Sequence, residues 1–245
     1  MLRVENIKKS FGKLLVLNDV SLQIKKGELS SIIGPNGAGK TTLFNLMTGH
    51  LTPEEGRIFF KEKEITGHSP HDICRKGIGR SFQITNIFPR MNAYDNVQVA
   101  VMSWKRKSRN IFSPAAKMVR EETEEILDSV GLGDKKEVTA GLLAHGDQRR
   151  LEVGIALGSH PELLLLDEPT AGMSPEESLR MVEFIHILAS ERGLTLVFIE
   201  HDMSVVFEVS EKIRVMHSGT FIAEGSPEEV RANDEVQRVY LAEET

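Results

Sequence analysis

Apolar and polar residues alternate along the first part of the chain, as they do in strands that have one buried face. In the segment LNDVSLQIKKGE, Val20, Leu22 and Ile24 are separated by polar residues, which is the period of a half-buried antiparallel strand. The segment LRVENIKKSF also reads as a strand, and TPEEGRIFFKEKEI reads as a turn and a further strand. The short apolar run LSSIIG lies between them and ends in a glycine. The pattern therefore predicts several strands near the start of the chain.

A helical period replaces this alternation further along. In the segment TTLFNLMTGH, Leu43, Leu46 and Met47 have helical spacing. From about residue 86 to residue 158 the pattern is helical. In EETEEILDSVGL, the apolar residues that fall on one side of the predicted helix are Ile126, Leu127, Val130 and Leu132.

Two later apolar runs, ELLLLDE and LTLVFIEH, do not alternate at all. Short runs of this kind, bounded by polar residues, are typical of strands that are buried on both faces of a parallel sheet. The segment between them predicts a crossover helix from Pro175 to about Ser190. A hairpin is predicted to turn near Ser218-Gly219. The last segment predicts one helix that ends the chain, with Ser226 as its N-cap and Pro227 at its first position.

The composition is that of an ordinary globular protein, and the net charge gives no support for a function in binding nucleic acid. Of the 245 residues, 40% are apolar and 27% are charged, which suits one large or two modest domains. The net charge of −6 gives no electrostatic reason to expect nucleic acid as a partner. The local exception is a basic run that we interpret as a solvated loop, formed by Lys105, Arg106, Lys107 and Arg109.

The cysteine content predicts a reducing compartment, and the lengths of the apolar runs predict a chain that does not itself span a membrane. Cys74 is the single cysteine, so no intrachain disulfide is expected, which suits a reducing compartment. The first residues contain no long apolar core, and no secretory signal is predicted. The apolar runs are far shorter than the ~20 residues that span a bilayer. If the protein acts in transport across a membrane, another chain must supply the pore.

The strongest motif is a glycine-rich loop between a predicted strand and a predicted helix. It fits the pattern G-x-x-x-x-G-K-[ST], which wraps a phosphate chain in backbone N–H groups at a helix N-terminus. The lysine supplies a charge for the β and γ phosphates of a nucleotide, and the threonine hydroxyl is a ligand for Mg²⁺. The residues predicted to bind ATP here are Gly34, Pro35, Asn36, Gly37, Ala38, Gly39, Lys40, Thr41 and Thr42.

Two carboxylates follow the first non-alternating apolar run. Asp167 is placed where a buried strand meets the phosphate site, and we predict that it holds Mg²⁺ through water. Glu168 is the candidate for polarising the attacking water. A pair of this kind is a weak signal alone, but together with the phosphate loop it indicates hydrolysis of a nucleoside triphosphate.

Further segments give the chain a family resemblance. Residues 143–148, Leu-Ala-His-Gly-Asp-Gln, resemble the LSGGQ signature of ABC ATPases. Gln83 in RSFQ resembles their glutamine loop, and His201 in IEHD resembles their switch histidine. Phe11 lies where these proteins place an aromatic ring against adenine. The order and spacing of all these elements match from about Val4 to Glu243.

The resemblance implies a fold and a division of the chain. The expected fold is α/β: a P-loop ATPase with a RecA-like parallel-sheet core, an antiparallel β subdomain and a helical subdomain. Residues 1–85 are assigned to the β subdomain and the phosphate-loop part of the core, 86–158 to the helical subdomain with the signature, and 159–225 to the remainder of the core. Residues 226–245 are assigned to a C-terminal helix.

The resemblance also implies that one chain provides only half of each ATP site. The signature segment of a second ATPase subunit, identical or paralogous, covers the nucleotide in trans through the residues that correspond here to Ala144, His145, Gly146 and Asp147. Glu168 then acts on the attacking water, and His201 contacts the γ-phosphate. Gln83 senses Mg²⁺ and water, and its loop leads into the helical region. We expect that loop to transmit the nucleotide state to a membrane permease.

Several segments resemble one branch of the family. RSFQ, AGMSP, IEHDM and the closing VYLAEE are similar to the ATPase subunits of branched-chain amino acid importers. This implies integral membrane permeases and a substrate-binding protein as partners, and a position on the cytoplasmic face of the membrane. The alternatives are a urea or amide importer, a lipid or lipopolysaccharide exporter, and a soluble ABC ATPase outside transport.

The chain departs from the family pattern in the signature and after the carboxylates. Ala144 stands where the signature usually has serine, so a hydroxyl contact to a γ-phosphate is missing, at a cost of ~1.5–3 kcal/mol if nothing compensates. His145 replaces a glycine and offers a contact of its own. Ser174 stands where an aspartate is more usual. Backbone N–H groups near Gly146 remain available at the predicted start of a helix.

Overall fold

The computed structural model describes residues 1–81, 87–105 and 115–241. The strands are β1 (Leu2–Phe11), β2 (Leu14–Ile24), β3 (Leu29–Ile33), β4 (Glu55–Phe60), β5 (Lys63–Glu64), β6 (Ile78–Arg80), β7 (Leu163–Asp167), β8 (Thr195–Ile199), β9 (Lys212–His217) and β10 (Thr220–Gly225). The helices are α1 (Lys40–Met47), α2 (Pro70–Lys76), α3 (Ala93–Lys105), α4 (Ala115–Ser129), α5 (His145–Leu157), α6 (Pro175–Arg192), α7 (Met203–Val209), α8 (Pro227–Arg231) and α9 (Asp234–Leu241).

The first sheet is antiparallel and has the strand order β2-β1-β4-β5. The alternating residues of β2 pair with apolar residues of β1, so that Leu22 lies opposite Val4. All three residues that carry the alternation are buried. The prediction of half-buried antiparallel strands at the start of the chain is confirmed.

The second sheet has the order β10-β9-β3-β8-β7-β6, and the pairings from β9 to β6 are parallel. Helix α6 connects β7 to its neighbour β8, which confirms the predicted crossover. Strands β9 and β10 form the predicted hairpin. Its two turn residues, Ser218 and Gly219, have φ values of 47° and 79°, as a two-residue turn matched to strand twist requires.

The central strands β7 and β8 are buried on both faces. Leu164 and Leu166 of β7 belong to one hydrophobic core, whereas Leu163 and Leu165 belong to the other. Strand β8 divides in the same way, because Leu196 and Phe198 lie in the first core and Val197 and Ile199 in the second. This double burial explains why the two sequence segments show no alternation of apolar and polar residues.

Helices α3, α4 and α5 pack together, and α5 also contacts β6 at the edge of the second sheet. Ile126, Leu127, Val130 and Leu132 are all buried, as their helical spacing predicted, and share a core with one face of β7. The predicted α/β fold with a parallel-sheet core, an antiparallel sheet and a helical part is confirmed. The division of the chain at residues 85, 158 and 225 stays a prediction.

The C-terminal segment corrects one expectation. The sequence predicted one helix over 226–245, but the described part forms two, α8 and α9. Ser226 caps α8 as predicted, in a capping box with Glu229. The Asn233 side-chain oxygen then accepts hydrogen bonds from the backbone N–H groups of Glu235 and Val236, at 2.9 and 3.1 Å. Asparagine favours this local capping over a helix interior, so a new helix begins there.

Two elements near the start of the chain were not predicted. Helix α2 begins with Pro70 and is capped by the Ser69 side chain. Strand β6 has three residues and adds to the edge of the second sheet beside β7. A strand of that length carries too few residues to show a period, which explains why sequence reasoning missed it.

A buried arginine joins the two sheets. Arg214 of β9 is 0% exposed, and its guanidinium donates to the Ser30 hydroxyl of β3 at 3.0 Å and to the Gln23 carbonyl of β2 at 2.7 Å. Its Nη2 also lies 2.9 Å from Oε1 of Glu28. Burial raises the pKa of Glu28, but the charge of Arg214 and the hydrogen bond from the Lys25 backbone lower it more, so the net pKa is below its usual value.

We expect Arg214→Met to destabilise the fold by about 3–5 kcal/mol, because it leaves Glu28 as a buried carboxylate without its ion-pair partner. Urea unfolding at pH 7, followed by circular dichroism, measures this change. The matched variant Glu28→Gln removes the charge at the other end of the pair. An Arg214→Met protein as stable as the parent would show that the ion pair contributes nothing.

The lowered pKa of Glu28 also predicts an acid effect. Its stabilising contribution is present above the pKa in the unfolded chain, about 4.3, and is lost as the pH falls through the lower folded-state value. We therefore expect the free energy of unfolding of Glu28→Gln to fall less steeply than that of the parent below about pH 4.3. Equal slopes for the two proteins would contradict the assignment.

Candidate functional site

The phosphate-type loop lies between β3 and α1, where two of its glycines closely approach residues of β2 and β9. A Cβ atom on Gly34 would lie 2.0 Å from the Met216 carbonyl oxygen, and one on Gly39 would lie 2.6 Å from Cδ2 of Leu17. Both glycines have positive φ values, 149° and 103°, which side chains oppose. The loop therefore needs glycine at these positions to hold its curvature against β2 and β9.

The start of α1 leaves backbone donors pointing out of the helix. The first hydrogen bond of the helical pattern runs from the N–H of Leu43 to the carbonyl of Gly39 at 2.9 Å, so the N–H groups from Lys40 to Thr42 precede the helical ladder. The Lys40 ammonium donates to the carbonyls of Gly34 and Pro35 at 2.5 and 3.0 Å. Its charge is thus held above the loop rather than extended into solvent.

A cavity of about 280 Å³ lies over this loop. It brings seven of the nine predicted phosphate-binding residues, all except Gly34 and Pro35, together with the predicted catalytic residues Glu168 and His201. The cavity is lined by Leu14, Val16, Asn36, Gly37, Ala38, Gly39, Lys40, Thr41, Thr42, Glu168 and His201.

The apolar part of the cavity wall comes from β2 rather than from Phe11. Leu14 and Val16 line the cavity, whereas Phe11 ends β1 opposite Leu14 and is 49% exposed. The Lys9 ammonium lies 5.7 Å from the centre of the Phe11 ring. A role for Phe11 in stacking on adenine stays a prediction.

Asp167 ends β7 in a buried ion pair. The Arg80 guanidinium donates to Oδ2 of Asp167 at 2.7 Å and to Oδ1 of Asn45, on α1, at 2.6 Å. Oδ1 of Asp167 is also buried, and it accepts no hydrogen bond within the described part of the chain. Arg80 therefore orients the carboxylate and leaves one oxygen open to a further partner.

Glu168 is the next residue, and its backbone is in a left-handed conformation, with φ 49°. Such a conformation costs on the order of 1–3 kcal/mol for a residue other than glycine, and it persists only where the surrounding structure holds it. The Glu168 N–H donates to the Ile199 carbonyl at 3.0 Å. Nε2 of His201 lies 2.7 Å from Oε1 of Glu168. The structure therefore brings the candidate base and the candidate switch histidine into contact.

Glu200, beside His201, is a buried carboxylate that the sequence analysis did not single out. Burial raises its pKa above the usual value, and the charge of Glu168 adds to this rise, while hydrogen bonds from Thr170 and His201 oppose it. Glu200 could have been singled out from the sequence, because it is a charged residue that directly follows the apolar run of β8. Arg80 was equally visible inside RSFQ, but no pattern indicated that it contacts Asp167.

The signature segment begins α5, as predicted, and faces a different cavity. Ala144 is the N-cap of this 13-residue helix and makes no side-chain cap. The second cavity, also about 280 Å³, is lined by Ala144, Gly146 and Asp147 of this segment and by residues of α6. The Asp147 carboxylate is held by Lys135 at 2.7 Å. The chain therefore does not bring its own signature segment to its phosphate loop.

The two remaining departures from the family pattern have local contacts. A Cβ atom on Gly172 would lie 3.5 Å from Cε1 of His145, so the His145 ring lies beside the loop that follows Glu168. Ser174 caps α6 in a capping box with Glu177. Gln83, the third candidate catalytic residue, lies outside the described residues, as do Arg106, Lys107 and Arg109 of the basic run.

The site fits a nucleotide with a divalent cation. The glycine loop, the N–H groups in the first turn of α1 and the Lys40 ammonium form a donor set for phosphate oxygens. Oxygen ligands suit Mg²⁺, and the buried Oδ1 of Asp167 and the Thr41 hydroxyl supply them. Within the described ranges, no helix combines the length and apolar character that crossing a membrane requires.

Two family models match the chain. The model described as ABC transporter matches residues 17–171, which include the phosphate loop, the signature segment and both carboxylates. The model described as branched-chain amino acid ATP-binding cassette transporter matches residues 222–241, which include α8 and α9.

Whole-chain comparisons agree with these matches. The chain is 39% identical over 252 residues to a high-affinity branched-chain amino acid transport ATP-binding protein, LivG, of Salmonella typhimurium, covering 99% of this chain and 98% of that protein. It resembles the crystal structure of the ADP conformation of an ATP-binding cassette of an ABC transporter, with a TM-score of 0.86, 32% identity and 98% of both chains covered. A dimeric cassette bound to ADP and Pi matches with a TM-score of 0.78 and 27% identity, over 93% of this chain and 99% of that one.

Helix α5 begins after Ala144, which cannot cap it with a side-chain hydrogen bond. We expect Ala144→Ser to stabilise the protein by about 1 kcal/mol, because a serine hydroxyl accepts a hydrogen bond from an N–H of the first turn. Urea unfolding of the chain without nucleotide measures the change. Ala232→Ser, at the C-terminal end of α8, is the matched control and is expected to change little. Equal unfolding midpoints for Ala144→Ser and the parent would contradict the prediction.

Proposed function

This chain belongs to the ABC transporter family and is an ATP-hydrolysing subunit of a transporter, and we propose that this transporter imports branched-chain amino acids. The observation that carries the choice of solute is the match of residues 222–241 to the branched-chain amino acid family model. The name of the Salmonella relative, which is similar over the whole chain, supports the same choice. We further propose a permease pair and a substrate-binding protein as partners.

The phosphate loop and Lys40 bind the triphosphate. The N–H groups at the start of α1 donate to phosphate oxygens, and the helix N-terminus adds positive potential. Lys40 already lies over the loop through its bonds to two carbonyls, so little side-chain motion is needed to reach the β and γ phosphates. Leu14 and Val16 provide the apolar contact beside the loop.

Glu168 and His201 carry out hydrolysis as a pair. Glu168 accepts a proton from water while the water oxygen bonds to the γ-phosphorus and the bond from that phosphorus to the β–γ bridging oxygen breaks. The 2.7 Å contact with His201 holds the Glu168 carboxylate in place. His201 also contacts the γ-phosphate. Mg²⁺, when held by Thr41, Asp167 and Gln83, neutralises phosphate charge.

A second ATPase subunit completes each site. The signature segment of this chain, Ala144 to Asp147, lies away from its own phosphate loop and presents the uncapped N-terminus of α5. We propose that it caps the γ-phosphate bound by the partner. Moving a closed pair from 1% to 99% population needs about 5.5 kcal/mol of differential binding. Two γ-phosphates, each contacted by both subunits only in the closed state, are the proposed source.

We propose that the segment around Gln83 couples the hydrolytic site to the permease. On one side, the Ser81 N–H donates to the Leu165 carbonyl of β7 at 2.9 Å. On the other side, the Phe88 N–H donates to Oδ1 of Asn96 in α3 at 2.7 Å, and the Phe88 side chain is 52% exposed. This segment therefore joins the strand of Asp167 to the helical part. We propose that the permease docks here, on the cytoplasmic face of the membrane.

Two variants separate binding from hydrolysis. We expect Glu168→Gln to retain Mg·ATP binding and to lose most of its turnover in the complex with its partner subunits, because the proton acceptor is gone. We expect Lys40→Ala to lose ATP binding itself, because the cation beside the phosphates is removed. Calorimetry with Mg·ATP and phosphate release from the assembled transporter measure the two effects. Normal hydrolysis by Glu168→Gln, or unchanged nucleotide affinity in Lys40→Ala, contradicts the corresponding role.

Uptake measurements test the proposed solute. Cells or vesicles that contain the chain with its permeases and binding protein are expected to accumulate leucine, isoleucine or valine, and the Glu168→Gln variant is expected to stop this uptake. ATP hydrolysis stimulated by urea or a short amide, and not by branched-chain amino acids, would instead indicate the amide branch. Purification without membrane proteins, together with full activity, would indicate an ABC ATPase outside transport.

A further inference from the structure

A buried carboxylate next to the hydrolytic pair has no part in the mechanism above. Glu200 follows the last residue of β8 and is 3% exposed. Burying a carboxylate is costly unless hydrogen bonds compensate. Donors from two separate segments therefore need to meet its oxygens, and the structure provides them.

One oxygen of Glu200 holds the loop that follows Glu168. Oε1 accepts a hydrogen bond from the backbone N–H of Thr170 at 2.8 Å and another from the Thr170 hydroxyl at 2.6 Å. Thr170 is two residues beyond Glu168 and is itself buried. These two bonds fix the chain just beyond the left-handed Glu168.

The other oxygen holds the backbone of the switch histidine. Oε2 of Glu200 accepts a hydrogen bond from the N–H of His201 at 3.1 Å. A single carboxylate thus connects the carboxyl ends of the neighbouring strands β7 and β8, which carry the two members of the hydrolytic pair. The bond from the Glu168 N–H to the Ile199 carbonyl adds a third link between the same ends.

We propose that Glu200 is a positioning residue for hydrolysis, which sets the separation of Glu168 and His201 through Thr170 and the His201 backbone. It acts on these two groups without touching the nucleotide. The inference rests on the proposed roles of Glu168 and His201. A displacement of about 1 Å between reacting groups lowers a rate by about 100-fold, so the three bonds of Glu200 have a large effect on turnover and a small one on nucleotide binding.

Glu200→Gln is the sharpest single change, because it preserves the shape of the side chain. The amide has one accepting oxygen, which keeps two bonds when it faces Thr170. Its NH₂ group then faces the N–H of His201, where two donors oppose each other. The variant therefore loses the bond to His201 selectively. Thr170→Val removes only the hydroxyl donor, and Thr170→Ser keeps it, so these two form a matched pair.

The experiment compares turnover, binding and the state of His201 in the same proteins. In the assembled transporter, we expect kcat for ATP to fall about 10- to 100-fold in Glu200→Gln and about tenfold in Thr170→Val. Thr170→Ser is expected to keep the parent kcat. The Kd for Mg·ADP is expected to stay within about twofold of the parent in all three, since the phosphate loop is unchanged.

Nitrogen NMR of the isolated chain reports on the environment of the His201 ring and does not depend on ATP turnover. The Nε2 resonance of His201 is expected to move in Glu200→Gln toward that of an exposed histidine such as His71, because the contact with Glu168 loosens. An unchanged kcat with an unchanged His201 resonance would overturn the proposal. So would a loss of Mg·ADP affinity in proportion to the loss of kcat, or equal losses in Thr170→Ser and Thr170→Val, because these indicate general structural damage.

The outcome is separable from that of the proposed mechanism. If Glu168→Gln hydrolyses ATP normally, the assignment of the base fails, whatever Glu200→Gln does. If Glu168→Gln is inactive and Glu200→Gln is fully active, the mechanism stands and the positioning role of Glu200 fails.

Discussion

The burial of the central parallel strands on both faces decides where chemistry can occur in this chain. The apolar side chains of β7 and β8 alternate between two hydrophobic cores, so charged groups are excluded from these strands until their carboxyl ends. Asp167 closes β7, Glu168 follows it, and Glu200 with His201 follows β8. Parallel pairing places these ends side by side, next to the loop that leaves β3. Ligands bind at this edge of open α/β sheets for the same reason.

Buried charge at the site is balanced locally. Asp167 is paired with Arg80, the Lys40 ammonium is bonded to loop carbonyls, and Glu200 is surrounded by donors. Each group is therefore held in one orientation by its neighbours. Such preorganisation suits a reaction in which alignment and electrostatic stabilisation account for most of the rate enhancement.

Much of the fold and the site could be predicted because their signals are local. The alternation in β2, the unbroken apolar runs of β7 and β8, and the spacing of the phosphate loop each depend on neighbouring residues. The contact between Arg80 and Asp167 joins residues 87 positions apart, and no period or motif encodes it. Strand β6 is too short to show a pattern. The side chain of Asn233 begins a new helix within a segment that the sequence pattern predicted as one helix. Ser174 shows the same limit, since a residue that departed from the family motif proved to cap a helix.

The buried Arg214 has a mechanical consequence. By bonding Gln23 of the antiparallel sheet and Ser30 of the parallel one, it resists any sliding of one sheet over the other, so both are expected to move as one rigid body. Helices α3 to α5 leave this body after β6 and return to it before β7. Any rotation of these helices relative to the rigid body has to occur at these two connections, one of which begins beside Arg80 and the Asp167 carboxylate. The hinge between helices α3 to α5 and the rest of the chain would then lie next to the hydrolytic centre.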